Sequence, residues 1–271
     1  MNARGWVKEG FKTARANFKL IMLFWIVQLP QIIFSVFPQL VKSSPSFSAQ
    51  FGLIAAFVIL MIGVIAVNWI LSIGLIHYFK LKHEGQEADI KALWKGGLFF
   101  FWRFLKLIIL QIGLVALILL AGALPYLLLI ISRAVPLLIA SIVLSVAIWG
   151  VGFYFLSLGA IYAGIIIVAE SPKAWEAVKR SYAFTRPRIW ILTRLFLLFI
   201  LIFIPVFLLM AVIVVASHAF FGMDEKGGQR LAEFILSFPS AWIGIASSAA
   251  LVHFYLTESK PKEEIPAVAA T

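Results

Sequence analysis

Six stretches of the chain contain no Asp, Glu, Lys or Arg: 20–41, 43–79, 107–132, 134–169, 195–223 and 234–257. The shortest holds 22 residues, and a helix crosses the hydrocarbon core of a bilayer with about 20. Apolar residues follow one another in these stretches without alternation, as from Phe196 to Met210. A membrane barrel strand alternates, so helices are the way this backbone satisfies its polar groups in lipid. The pattern predicts an all-α polytopic membrane protein with six transmembrane helices, near 20–41, 52–79, 107–131, 135–158, 195–221 and 234–256. Residues 43–50 then form a loop, and 258–271 a short tail without fixed structure.

The fourth stretch, at 36 residues, is too long for one straight crossing, because it extends about 54 Å as a helix against a core of about 30 Å. Two crossings there put the Arg-rich segment 170–194 on the wrong side of the charge pattern described next. A single broken or protruding helix is expected, with Gly150, Gly152 and Gly159 as break points and Pro136 at its outer start.

Charge then orients the spans. Only 13% of residues are charged and 63% are hydrophobic, against about 25% charged in a soluble domain. Of the Lys and Arg residues, 19 fall in segments on one side of the predicted membrane, and four, Lys42, Arg133, Lys226 and Arg230, fall on the other. The positive-inside rule places both termini and the two long basic segments in the cytoplasm, with the chain in the cell membrane. The first apolar stretch exceeds the roughly 7–15 residues of a signal-peptide core and lacks an Ala-x-Ala site, so it is expected to remain as the first span. The net charge of +11 lies beside membrane spans with no nucleic-acid-binding motif, which argues against a nucleic-acid partner.

A pattern recurs three times. A Trp stands among basic residues, an amphipathic stretch follows, and the next span carries a Pro toward its outer half. The pairs are Trp6 with Pro30, Trp94 with Pro125 and Trp175 with Pro205, separated by 24, 31 and 30 residues. The repeat implies three helical hairpins, each introduced by an interfacial amphipathic helix at the cytoplasmic face. In the first copy Val7, Phe11, Ala14 and Phe18 form the expected apolar stripe, opposite Lys8, Lys12, Arg15 and Lys19. In the third, Ser171 reads as N-cap and Pro172 as first helical residue, with Trp175, Val178, Tyr182 and Thr185 as the stripe. Glu176 and Arg180 are spaced for an i,i+4 ion pair. Such helices lie in the interface plane and gain from anionic headgroups. The candidate lipid or partner contacts are therefore Trp6, Lys8, Lys12 and Arg15, then Trp94, Lys95 and Arg103, then Trp175, Lys179, Arg180, Arg186 and Arg188.

The segment Val168-Ala-Glu-Ser-Pro-Lys-Ala-Trp-Glu-Ala-Val-Lys-Arg-Ser-Tyr-Ala-Phe-Thr-Arg, followed by Trp190 and a Phe/Leu-rich span, resembles a signature of small multi-pass bacterial and archaeal membrane proteins. These include the membrane domain fused to some glycerophosphodiester phosphodiesterases and related uncharacterised six-span families. The entry to the first span, with Trp6, Phe11, Asn17-Phe18-Lys19 and Leu29-Pro30, is similar too. The resemblance implies a fold more than an activity, since the chemistry of such fusions belongs to a separate soluble barrel of about 250 residues.

Little else in the sequence suggests catalysis. There is no cysteine, and the two Asp residues, Asp89 and Asp224, form no acidic cluster. His77, His83, His218 and His253 lack metal-ligand spacing and read as interfacial residues. No nucleophile elbow, P-loop or zinc-protease motif is present. Asn68 and Gln111 read as interhelical hydrogen-bond partners, and no carboxylate, Lys or Arg lies deep in a predicted span. The expectation is a non-enzymatic membrane module, without metal or cofactor. It docks a protein partner of unknown identity or recognises anionic lipid headgroups at the cytoplasmic face. The alternative is a facilitator or translocator of a lipid or small amphiphile, motivated by the prolines and the over-long fourth stretch.

Overall fold

The computed structural model describes residues 2–34, 47–132 and 138–259, and every regular element among them is helical. The helices are α1 (Ala3–Ala16), α2 (Phe18–Phe34), α3 (Phe47–His83), α4 (Ile90–Ser132), α5 (Leu138–Ala160), α6 (Ala163–Glu170), α7 (Ala174–Thr185), α8 (Ile189–Phe221) and α9 (Glu225–Glu258). A 3-10 turn, Arg186–Arg188, joins α7 to α8. Of the expected loop 43–50, residues 47–50 are the first turn of α3 instead, while 43–46, Lys42, Arg133, Pro136 and the tail beyond Ser259 lie outside the described residues.

Five stretches are long and apolar enough to cross a membrane: Gln50–His83, Ile90–Pro125, Ala140–Glu170, Ala174–Phe221 and Lys226–Glu258. Phe18–Pro30 is a shorter apolar helix. The most apolar window of α3 has no buried residue, and Ile59, Leu60 and Ile62 stand exposed along it. Contiguous apolar surface on this scale needs a lipid covering, and the chain is accordingly an all-helical, multi-pass membrane protein.

Local chemistry explains where the helices stop. Both Asp residues are N-caps: Asp89 accepts the Ala92 N–H at 2.7 Å and Asp224 accepts the Gly227 N–H at 2.9 Å. Gly85 ends α3 in the left-handed region at φ 75°, while Gln86 N–H reaches the Leu81 carbonyl at 2.9 Å. That is a Schellman ending, which glycine adopts without a Cβ clash. The fourth apolar stretch is broken as expected: α5 stops at Ala160, Ile161 and Tyr162 form a turn, and α6 resumes at Ala163.

The chain divides into two units, Met1–Gly97 with Trp190–Thr271, and Leu98–Ile189. In the first, α1, α2 and α3 pack around α9. Trp6 sits edge-on to Phe254 with centroids 5.5 Å apart. Gly10 lets α1 approach closely, since a Cβ there meets the Ala246 carbonyl and lies 2.9 Å from Ala250 Cβ. At the α1–α2 junction Asn17 donates to the Thr13 carbonyl at 2.6 Å and accepts from Tyr78 Oη at 2.5 Å. In the second unit α7 packs on α5 and α6. Ser181 closes the α5–α6 break: its hydroxyl donates to the Leu158 carbonyl at 3.0 Å and accepts the Tyr162 N–H at 3.1 Å.

Three expectations about the amphipathic segments need correction. The buried line of α1 is Ala3, Trp6, Gly10 and Ala14, whereas Phe18 is 56% exposed. Its apolar face therefore meets α9 rather than lipid, and the stripe is rotated by about one residue from Val7, Phe11, Ala14 and Phe18. The second copy has no separate interfacial helix, because Trp94 lies within the continuous α4. In the third, Lys173 is the N-cap and Ser171, at φ 60°, ends α6. The buried line of α7 is Ala177, Ser181, Phe184 and Thr185, which leaves Trp175 outside it.

Candidate functional site

The candidate residues do not behave alike. Trp6 is 4% exposed, its indole N–H buried without an acceptor among the described residues, so it is a packing residue and not a surface contact. Lys8, Lys12 and Arg15 are exposed on α1, with Lys12 3.6 Å from Glu9. Trp94 is half-buried beside an exposed Lys95.

Six candidates lie in the Leu98–Ile189 unit. Arg103 donates to the Ser171 carbonyl at 3.1 Å and lies 5.7 Å from the Phe99 ring. This ties α4 to the α6–α7 junction. Arg180 forms the expected ion pair with Glu176 and a second one with Glu170, which joins α7 to the end of α6. With two carboxylates on one guanidinium, Arg180 has little positive charge left for an anionic ligand. Arg186 is exposed, and Arg188 stacks 4.4 Å from the Phe184 ring while donating to the Phe184 carbonyl at 3.2 Å.

Lys179 and Trp175 differ from these. Trp175 is 51% exposed, and Lys179 Nζ lies 5.6 Å from its ring centroid. Both stand at the edge of an open groove of about 600 Å³. Leu114 and Ile118 of α4 and Phe155 and Leu156 of α5 form its apolar walls, and Tyr182 of α7 completes it. Among the described residues the polar side-chain atoms of this lining come from α7 alone, so the groove pairs one cationic edge with an apolar interior. The walls on α4 and α5 were not singled out by the sequence pattern, because in a span every residue is apolar.

A histidine pair was also not foreseen. His83 and His253 approach with Nδ1 atoms 3.2 Å apart, and His253 Nε2 lies 3.5 Å from Thr13 Oγ1. The contact links the ends of α3 and α9 to α1. Among the described residues no group of three or more His, Cys, Asp or Glu converges, so the pair reads as a hydrogen-bonded clasp.

Neither a protein-family model, nor a curated protein, nor a solved structure matches the chain.

Proposed function

We propose that the protein is a non-enzymatic membrane module that recognises anionic lipid at the cytoplasmic leaflet through α7. One observation carries the reading: Trp175 and Lys179 stand together, exposed, at the edge of an apolar groove. A lipid has the complementary shape, with an anionic group for Lys179, an interfacial zone for the Trp175 ring and a tail for the groove. A protein partner uses the exposed ring and cation equally well but gives no reason for an apolar groove beneath them. Headgroup recognition thus becomes the task of Lys179 and Trp175, with Arg180 and Arg103 holding the α6–α7 corner in place.

The six-span topology belongs to this proposal, with α2 as first span, both termini cytoplasmic and the helices grouped as three hairpins. The 19-to-four division of basic residues and the separation of α1 from α2 and of α7 from α8 support it. Kinship with the membrane domain of glycerophosphodiester phosphodiesterases is likewise a proposal, supported by the motif around Trp175.

Native mass spectrometry of the full chain, titrated with phosphatidylglycerol and phosphatidylcholine of equal tails, tests the function. The expected result is preferential retention of phosphatidylglycerol, reduced about tenfold by Lys179→Ala and left intact by Lys8→Ala. Equal retention of both lipids, or an unchanged preference in Lys179→Ala, refutes the reading. A protein that co-purifies with the wild type and is lost in Trp175→Ala without any change in lipid shifts the assignment to partner docking.

A further inference from the structure

Pro30 and Pro205 of the repeated pattern play no part in lipid recognition by α7, yet they, together with Pro239 outside that pattern, stand in the three helices of the first unit that line one cavity. The cavity has a volume of about 410 Å³ and is lined by Gln28 of α2, Phe203 and Phe207 of α8, and Glu233, Ser237 and Ser240 of α9, among others. Pro30 lies two residues beyond Gln28, Pro205 two beyond Phe203, and Pro239 between Ser237 and Ser240. A proline inside a helix has no N–H to give, so the carbonyls of Ile26, Leu201 and Ile235 lose their helical donors. The helices α2, α8 and α9 run on through these prolines, and the mostly apolar lining between them takes its polar side-chain atoms from Gln28, Glu233, Ser237 and Ser240. The volume falls within the roughly 300–1,000 Å³ of small-molecule pockets.

The lining selects the chemistry of the occupant. Glu233 supplies a carboxylate, and Gln229 Nε2 donates to one of its oxygens at 3.2 Å. Ser237 accepts from Trp25 Nε1 at 2.8 Å and donates to the Phe234 carbonyl at 2.6 Å, so its hydroxyl is held in place. Among the described residues no Lys or Arg lines the space. An acyl chain leaves the charged Glu233 carboxylate facing hydrocarbon, which is costly. An anion meets Glu233. A small cation with a hydrocarbon body satisfies both halves, with its charge toward Glu233 and its methylene or methyl groups against the Phe203 and Phe207 rings.

We infer that this cavity is a binding site for a small organic ammonium ion. Glu233 sits one residue before the last charge-free stretch and two turns into α9. Ser240 stands two turns deeper. The site is separate from the α7 groove, and neither depends on the other.

Equilibrium dialysis of the full chain in neutral detergent, with labelled choline and tetraethylammonium as probes, tests the inference. Saturable binding of at least one probe is expected. 3,3-Dimethylbutan-1-ol, the uncharged isostere of choline, is expected to compete at least tenfold more weakly than choline. Glu233→Gln is expected to lower affinity at least tenfold by removing the charge alone. Ser240→Phe is expected to abolish binding by filling the cavity from a different position, and Lys179→Ala to leave it unchanged. Circular dichroism and a monodisperse elution profile confirm that each variant is folded. Absence of saturable binding of both probes, equal competition by the neutral isostere, or wild-type affinity in folded Glu233→Gln and Ser240→Phe each overturns the assignment.

Discussion

Trp6 and Trp175 occupy the same place in the repeated pattern, and the structure gives them opposite environments. Trp6 is 4% exposed against Phe254, while Trp175 is 51% exposed beside Lys179. Replacing a buried Trp by Ala removes apolar contact and leaves a cavity, a loss of about 3–5 kcal/mol. Trp6→Ala is expected at the upper part of that range, because the ring is almost fully enclosed and packs edge-on to Phe254 where α1 meets α9. Its N–H, buried without an acceptor among the described residues, lowers the loss somewhat, since truncation also removes a buried donor worth about 1–3 kcal/mol. A net cost of about 3 kcal/mol remains. Trp175→Ala removes a half-exposed ring and is expected to cost under about 1 kcal/mol. Unfolding in mixed micelles by denaturing detergent, followed by circular dichroism, gives both values. Limited proteolysis near Lys8 and Lys12 gives an independent readout, because undocked α1 becomes cleavable. If Trp175→Ala destabilises as much as Trp6→Ala, or Trp6→Ala leaves stability and α1 protection unchanged, the docking of α1 on α9 is refuted.

Other substitutions probe single contacts. Gly10→Ala improves helix propensity by about 1 kcal/mol but forces the new methyl into Ala246 and Ala250. Overpacking of that kind costs about 1–3 kcal/mol, so a net loss is expected in the same unfolding assay. Gly52→Ala in α3, where the new methyl meets nothing within 4 Å, is expected to be neutral or stabilising. Ser181→Ala unpairs the Tyr162 N–H and the Leu158 carbonyl and is expected to cost about 1–3 kcal/mol, with amide exchange faster at Tyr162. Ser171→Gly relieves a left-handed residue at φ 60° and is expected to stabilise by up to about 1 kcal/mol, measured as a higher midpoint of thermal unfolding.

Much of the fold follows from local chemistry alone. Charge-free stretches mark the spans, because an ion in hydrocarbon is too costly to leave there. The caps at Asp89 and Asp224, the glycine ending at Gly85 and the break just after Gly159 lie within a few residues of the chemistry that produces them. The ion pair between Arg180 and Glu176 needs only helical spacing. The second partner of Arg180, Glu170, needs the corner between α6 and α7, which the sequence does not draw.

The environment of each apolar face was decided by the tertiary structure. In water an apolar stripe must point into protein, so periodicity reveals burial. In a membrane, lipid tails are as apolar as leucine, and the same stripe serves against either. That is why Trp6 and Trp175 look alike in sequence while one packs on Phe254 and the other stands exposed. Polar groups far apart in sequence follow the same logic. His83 and His253, or Gln28 and Glu233, come together only because helices distant in the chain pack side by side. Sequence determines that this chain enters a membrane, and at Asp89, Asp224 and Gly85 where individual helices begin and end. Packing alone determines which apolar residues meet protein instead of lipid, and which polar residues share a cavity.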